Sequence, residues 1–224
     1  KVTALTRNVH QKGYILKTQA NPGYLEIVEG SIFDHELIEK LFSNANLCVN
    51  LIGILFEKGK NNFNNLHVEF PKMISRYAST SKLEKLVHLS ALGINEAIES
   101  DYAKSKLDGE IKVLKNFPSA TILRPSIIFG AEDQFFNRFA QMATLSPFLP
   151  LVGANTKFQP IYVGDVAVAV EKALLDSSVS GVYELGGPNV ETFSELMKRM
   201  LGVIQRRRLM LNVPFFAAGI IGQT

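Results

Sequence analysis

The sequence predicts an α/β protein with a parallel sheet covered by helices on both faces. Short runs rich in β-branched and apolar residues recur along the chain, amphipathic helix-like segments stand between them, and the two alternate as strand–helix–strand units do.

Taken in order, VTALT, LEIVEG, NLCVNLIGIL and KLVHLS read as buried strands. FDHELIEKLFSNA reads as a helix with Leu37, Ile38 and Leu41 on one face, Asp34 as N-cap, and Glu36 and Glu39 early in the helix. HVEFPKMISRYASTSK carries Val68, Met73, Ile74 and Tyr77 at helical spacing, with Pro71 expected in its first turn. DYAKSKLDGE is a further helix, followed by the strand ATILRPSIIFG. Asp165 is expected to cap the helix DVAVAVEKALLDS, after which GVYELGG gives another short strand. Phe135, Phe136 and Phe139 are spaced to pack a lobe over the cleft, and RRRLMLNVPFFAAGIIGQT reads as a strand and helix start in a small carboxyl-terminal lobe. The domain reading is residues 1–186 for the main domain, with 131–160 partly on the substrate side, and 187–224 for part of that lobe.

A chain of 224 residues suffices for one large domain, or one domain with a small lobe, and buries roughly 70% or more of its unfolded surface. Cys48, the only cysteine, cannot pair within the chain, which fits a reducing compartment. His10, His35, His67 and His88 are scattered without ligand spacing, which argues against a zinc site. A net charge of +3, with acids and bases interleaved, is no nucleic-acid footprint. No apolar run is long enough to span a bilayer.

Open parallel sheets bind ligands at the carboxyl ends of their strands. Arg7, Ser31, Ile32, Gly53, Ser90, Pro125 and Ser126 all fall at predicted strand ends. Tyr102 and Lys106 stand four positions apart, so they share one helix face. Alone, that pair describes an ordinary solvated helix; beside the strand-end residues it becomes a candidate for proton transfer. An ammonium near the phenol would favour the phenolate and lower its pKa.

This arrangement resembles the short-chain dehydrogenase/reductase superfamily, with its Rossmann fold and Tyr-x-x-x-Lys pair. VNLIGILFEKGKNNFNNLHVE, LVHLSALG, YAKSKLDGE, ILRPSIIFGAEDQFFNRFA and QPIYVGDVA resemble more narrowly its atypical branch, the NAD-dependent epimerase/dehydratase-like family containing an NADPH-binding accessory subunit of respiratory complex I and bacterial relatives. The likeness runs from Lys1 to about Pro214. It implies a doubly wound Rossmann sheet whose first strand and Gly-rich turn are missing from this text, leaving an exposed edge and weakened dinucleotide binding.

The resemblance assigns Tyr102 and Lys106 as catalytic residues, with Lys106 also holding the nicotinamide ribose. Ser90 is the candidate third member, because Leu92 takes the usual catalytic place in HLSALG and cannot donate a hydrogen bond. Ser90 could equally cap the strand. Arg7 would grip a ribose 2′-phosphate, which favours NADP(H) over NAD(H). Ser31 and Ile32 take the place of an Asp–apolar pair at the adenine. Leu51, Ile52 and Gly53 would border the cofactor, and Pro125, Ser126 and Ile127 the nicotinamide carboxamide. Implied partners are a dinucleotide, respiratory complex I subunits and a second copy in a homodimer. The implied location is the cytoplasm or the inner face of the respiratory membrane, which is the matrix side in a eukaryote. Three functions stay open: a cofactor-binding structural or assembly component with little turnover, an active reductase, epimerase or dehydratase on a small or nucleotide-linked substrate, and a nicotinamide-sensing regulator.

Overall fold

A computed structural model describes residues 1–97 and 99–213. The end of the carboxyl-terminal lobe reading, 214–224, lies outside the described residues.

β1 (Val2–Thr6) and β2 (Leu25–Glu29) pair in parallel, joined through α1 (Val9–Lys17). A second parallel sheet follows the order β10–β5–β4–β3, with β3 (Leu47–Asn50), β4 (Lys85–Leu89), β5 (Thr121–Pro125) and β10 (Gly181–Leu185). Among the described residues no strand pairs with the outer edge of β1 or of β3. Leu5 of β1 and Cys48 of β3 nevertheless pack against the same core.

That core lies on one face of the second sheet. Ile38 and Phe42 from α2 (His35–Ser43), Ile74 and Ala78 from α3 (Phe70–Thr80), and Val113 from α4 (Asp101–Asn116) meet Leu86 and Ile122 there. Val87 and Leu123, pointing the other way by strand alternation, pack with Ala173 of α6 (Val163–Leu175). The central strands β4 and β5 are therefore buried on both faces, whereas the edge strand β10 is exposed over Val182 to Glu184.

Local chemistry sets the helix ends. The Asp34 side chain accepts from Leu37 N–H at 3.0 Å and starts α2. Pro71 sits in the first turn of α3, but α3 continues a π-helical turn over Asn64–Glu69 that helical periodicity alone did not announce. Ser100 caps α4 through the Ala103 amide. The expected cap at Asp165 is corrected: Tyr162 holds the N-cap position of α6, and Asp165 lies in the first turn, where a carboxylate meets the positive end of the helix.

Two predicted strands are shorter than their sequence runs. In NLCVNLIGIL, β3 stops at Asn50 because side chains take over the amides: Asn50 Oδ1 accepts from Ile52 N–H and His67 Nε2 from Ile54 N–H. ATILRPSIIFG splits at Ser126–Ile127 into β5 and β6 (Ile128–Phe129), and β6 pairs with β9 (Ile161–Tyr162).

The remaining elements build a second core. α5 (Phe136–Leu145), β7 (Phe148–Val152), α7 (Phe193–Val203) and β12 (Leu209–Val213) enclose Leu149, Leu151, Leu196 and Met197. Between them β8 (Lys157–Phe158) pairs antiparallel with β11 (Glu191–Thr192). Phe139 meets Phe193 edge-on and Phe135 meets it at a tilt, so the phenylalanines serve packing, as their spacing suggests. Residues from 135 to 158 and from 193 to 210 share this one core.

Candidate functional site

The carboxyl ends of β3, β4 and β5 and the first turns of α4 converge on a buried polar layer. Each contribution follows from strand alternation. Asn50, His88, Ser90 and Arg124 point to the α4 side of the sheet, as their apolar neighbours Cys48, Leu86 and Ile122 do. α4 answers with Ser105, Lys106 and Glu110, all buried, and the π-helical turn adds His67.

Lys106 Nζ donates to the Leu89 carbonyl at 2.8 Å, which brings the ammonium to the carboxyl end of β4 beside Ser90. Burial pulls the ammonium down to about 8, with the Glu110 carboxylate pulling the other way. Tyr102, one turn earlier, is half-buried, and its ring meets His67 edge-on with centroids 5.4 Å apart. The expected lowering of its pKa is not found: burial raises the phenol above its ordinary value. Gly53 lies against the same group, since a Cβ placed there would be 3.8 Å from His67 Nε2 and 3.9 Å from Lys106 Nζ. Tyr102, Lys106 and Gly53 therefore come together.

Ser90 is buried at the end of β4, and its hydroxyl finds no hydrogen-bond partner among the described residues. The same holds for His88 Nε2. The direction of that orphan can be deduced. Ile52 N–H must donate to Asn50 Oδ1, so Asn50 Nδ2 faces His88 Nδ1 at 2.9 Å as a donor. His88 then carries its proton on Nε2. A buried N–H donor and a buried hydroxyl thus lie unsatisfied on one face of β4, an unusual cost that a bound water or ligand oxygen would relieve. Burial first, then the charge of Lys106, pushes His88 down to about 3.

The other expected residues form two further groups. Arg7 is exposed just beyond β1, and Glu29 at the end of β2 accepts from Val9 N–H at 3.2 Å, so a carboxylate stands near the same turn. Ser31 Oγ accepts from Phe33 N–H, forming the turn that an aspartate would otherwise make. Ile32 walls a cavity of about 550 Å³ with Phe33, Asn65, Phe70, Met73 and Tyr77. Leu51 is exposed while Ile52 packs on the core. Pro125 is buried; Ser126 N–H donates to the Leu185 carbonyl and the Ile127 carbonyl accepts from Ile161 N–H. Arg124 is taken up by Glu110 rather than presented to the cleft.

Sequence reasoning passed over His67, Ser105, Asn50 and His88. His67 and His88 had been weighed only as metal ligands. The available signal was a polar residue at an inward position of an otherwise apolar strand or helix face, as in KLVHLS.

The sequence matches no protein-family model. It is 32% identical over 211 residues to NADH dehydrogenase [ubiquinone] 1 alpha subcomplex subunit 9 of Mus musculus, covering 93% of this chain and 56% of that protein. The subunit of the same name from Arabidopsis thaliana is 34% identical over 186 residues, covering 81% and 46%. A ceramide reductase from Caulobacter vibrioides is 26% identical over 192 residues, covering 85% and 60%. The chain spans about half the length of the curated subunits it matches. Among solved structures, a dTDP-4-dehydrorhamnose reductase from Bacillus anthracis, in complex with NADP, superposes with a TM-score of 0.77 at 16% identity, covering 97% of this chain and 85% of that one. A dTDP-glucose 4,6-dehydratase from the same organism, in complex with NAD, gives 0.79 at 19%, covering 96% and 76%. At such identities the likeness is one of fold.

Proposed function

The chain is a relative of the subunit-9 proteins of mitochondrial NADH dehydrogenase, built on the Rossmann-type fold of NAD(P)-binding reductases and dehydratases, and from that kinship we propose that it is an NADP(H)-binding structural or assembly component tied to respiratory complex I, with little or no turnover. In this reading Tyr102, Lys106, Gly53 and Ser90 surround the nicotinamide ribose, with Leu51, Ile52 and Pro125 to Ile127 beside it. Ile32 and Ser31 receive the adenine, and Arg7 the 2′-phosphate. The dinucleotide, where bound, would supply hydride; the chain's own part is to hold it and exclude water.

The observation that carries the low-turnover reading is Leu92, which stands where a hydroxyl would orient a substrate oxygen and cannot donate a hydrogen bond. The shift of the Tyr102 phenol fits the same reading, since burial raises it where an activating ammonium would lower it. Location follows the kinship: a position at the inner face of the respiratory membrane. No helix among the described residues is long and apolar enough to cross a membrane. Homodimer formation stays part of the proposal.

The likeness to a ceramide reductase favours a second reading, an active carbonyl reductase using Tyr102 and Lys106. The test uses full-length protein. Native mass spectrometry reports the dinucleotide that co-purifies, and NADPH oxidation is followed with a panel of carbonyl compounds. Bound NADP(H) without turnover supports the first reading. Turnover abolished by Tyr102→Phe establishes the second.

A further inference from the structure

His67 makes more connections than a buried core histidine needs. Its Nε2 lies 3.0 Å from Ile54 N and its Nδ1 2.9 Å from Ser105 Oγ. Ser105 Oγ lies 2.7 Å from the Tyr102 carbonyl oxygen. Proton positions in this chain are dictated by groups that have no choice. A backbone N–H can only donate, so Nε2 of His67 accepts from Ile54 and the neutral ring carries its proton on Nδ1. A carbonyl can only accept, so the single hydroxyl proton of Ser105 goes to Tyr102, and Ser105 Oγ accepts from Nδ1–H. Every member is satisfied in one direction only: Ile54 N–H to His67, His67 to Ser105, Ser105 to the carbonyl of Tyr102.

The ring is also held sterically. Phe63 stacks on one face with centroids 5.3 Å apart, and Tyr102 abuts it edge-on. The His67 carbonyl lies so close to Gly109 that a Cβ there would come within 1.9 Å of its oxygen, so α4 and the π-helical turn touch backbone to backbone. π-helical turns of this kind concentrate at functional sites, because the extra residue re-aims side chains. Here the turn delivers one imidazole to both the loop after β3 and the first turns of α4.

We propose that His67 is a positioning residue: it clasps the loop Leu51–Ile54 to the Tyr102–Ser105 turn of α4, and so sets how Gly53 stands against Lys106, beside which the nicotinamide ribose would lie. The proposal rests on the dinucleotide reading given above and adds the group that sets the geometry of its nicotinamide end. His67 acts through Ile54 and Ser105. The adenosine end, at Arg7 and Ile32, has no member in this chain of hydrogen bonds.

That asymmetry supplies the test, on full-length protein. Affinities for NADPH and for adenosine 2′,5′-bisphosphate are measured by calorimetry for the parent and for His67→Leu, His67→Gln and Ser105→Ala. A lost positioning bond corresponds to about a tenfold change. Expected are a roughly tenfold loss of NADPH affinity in His67→Leu and a smaller one in Ser105→Ala. Partial recovery is expected in His67→Gln, whose amide oxygen can still accept from Ile54, with the bisphosphate affinity unchanged throughout. Long-range proton–nitrogen correlation spectra should show His67 protonated on Nδ1 in the free protein. Equal weakening of both ligands, no weakening of either, or a ring protonated on Nε2 would each overturn the positioning role while leaving the dinucleotide reading intact. A parent protein that binds neither ligand would overturn that reading, and the positioning role with it. Should His67→Leu fail to fold, Ser105→Ala and His67→Gln carry the same comparison.

Discussion

Glu110 and Arg124 form a buried two-point ion pair, with Nε to Oε1 at 2.9 Å and Nη2 to Oε2 at 2.6 Å, that fastens α4 to β5 beneath the candidate site. Fork-to-fork geometry repays the desolvation of both charges, but a charge left alone there is expensive. Glu184, half exposed and 3.5 Å from Nη1, is too far and too wet to replace Glu110. Glu110→Ala should therefore cost about 3–5 kcal/mol in urea unfolding, whereas the double variant Glu110→Leu with Arg124→Met should recover much of that. Equal losses in the single and double variants would mean that the pair contributes packing alone.

The two buried histidines predict how stability responds to acid. Burial holds His67 down to about 4 and His88 down to about 3, from an ordinary value of 6.5. For a group whose folded pKa is depressed, the unfolded chain binds the proton first. Stability is then complete above about pH 6.5 and is lost as pH falls toward 4 and 3. Each ring contributes up to about 1.4 kcal/mol per pH unit across that window. Unfolding free energies between pH 6 and 4.5 should flatten by about one proton in His88→Gln relative to the parent, whatever that variant's absolute stability. An unchanged slope would show that His88 titrates normally in the folded protein.

Much of this architecture was legible because it depends on periodicity. Strand runs, the Asp34 cap, Pro71 in a first turn and the Phe135–Phe139 packing face all follow from local rules that tertiary structure did not override. Strand ends were less legible. Ile52 and Ile54 read as strand, yet their amides are claimed by Asn50 and His67, and the second acceptor lies 13 residues away. The π-helical turn and the Glu110–Arg124 pair were hidden for the same reason, since both are agreements between distant segments. At the candidate site the spacing of Tyr102 and Lys106 was plain, but the electrostatics were not. The sign of the phenol's shift depends on burial, which sequence spacing cannot report.

On the proposed reading, cofactor preference turns on Arg7 and Glu29. If Arg7 meets a 2′-phosphate, the contact is a charge-assisted one worth about 1.5–3 kcal/mol, and Glu29 opposes it from the neighbouring strand end. In full-length protein, Arg7→Ala should weaken NADPH by about tenfold or more and leave NADH nearly unchanged. Both affinities are read by calorimetry. A constant ratio between the two dinucleotides would remove Arg7 from the site.

Two glycines near His67 should behave oppositely. Gly109 sits where α4 presses on the π-helical turn, and an added methyl would meet the His67 carbonyl oxygen at 1.9 Å, a backbone atom with no rotamer to move aside. Gly109→Ala must push α4 away and should cost about 1–3 kcal/mol or more, lowering the thermal midpoint. Gly53 has no such constraint from the protein, because an added methyl meets His67 Nε2 and Lys106 Nζ only at ordinary contact distance, 3.8 and 3.9 Å. Gly53→Ala should leave the midpoint within a degree or two of the parent, since surface changes of this kind fall within about 0.5 kcal/mol. Any requirement for glycine there must then come from a ligand that approaches the backbone, and NADPH affinity should fall while stability holds. If Gly53→Ala binds NADPH as the parent does, the ribose does not lie against that loop, and the nicotinamide end must be sought elsewhere along the strand ends.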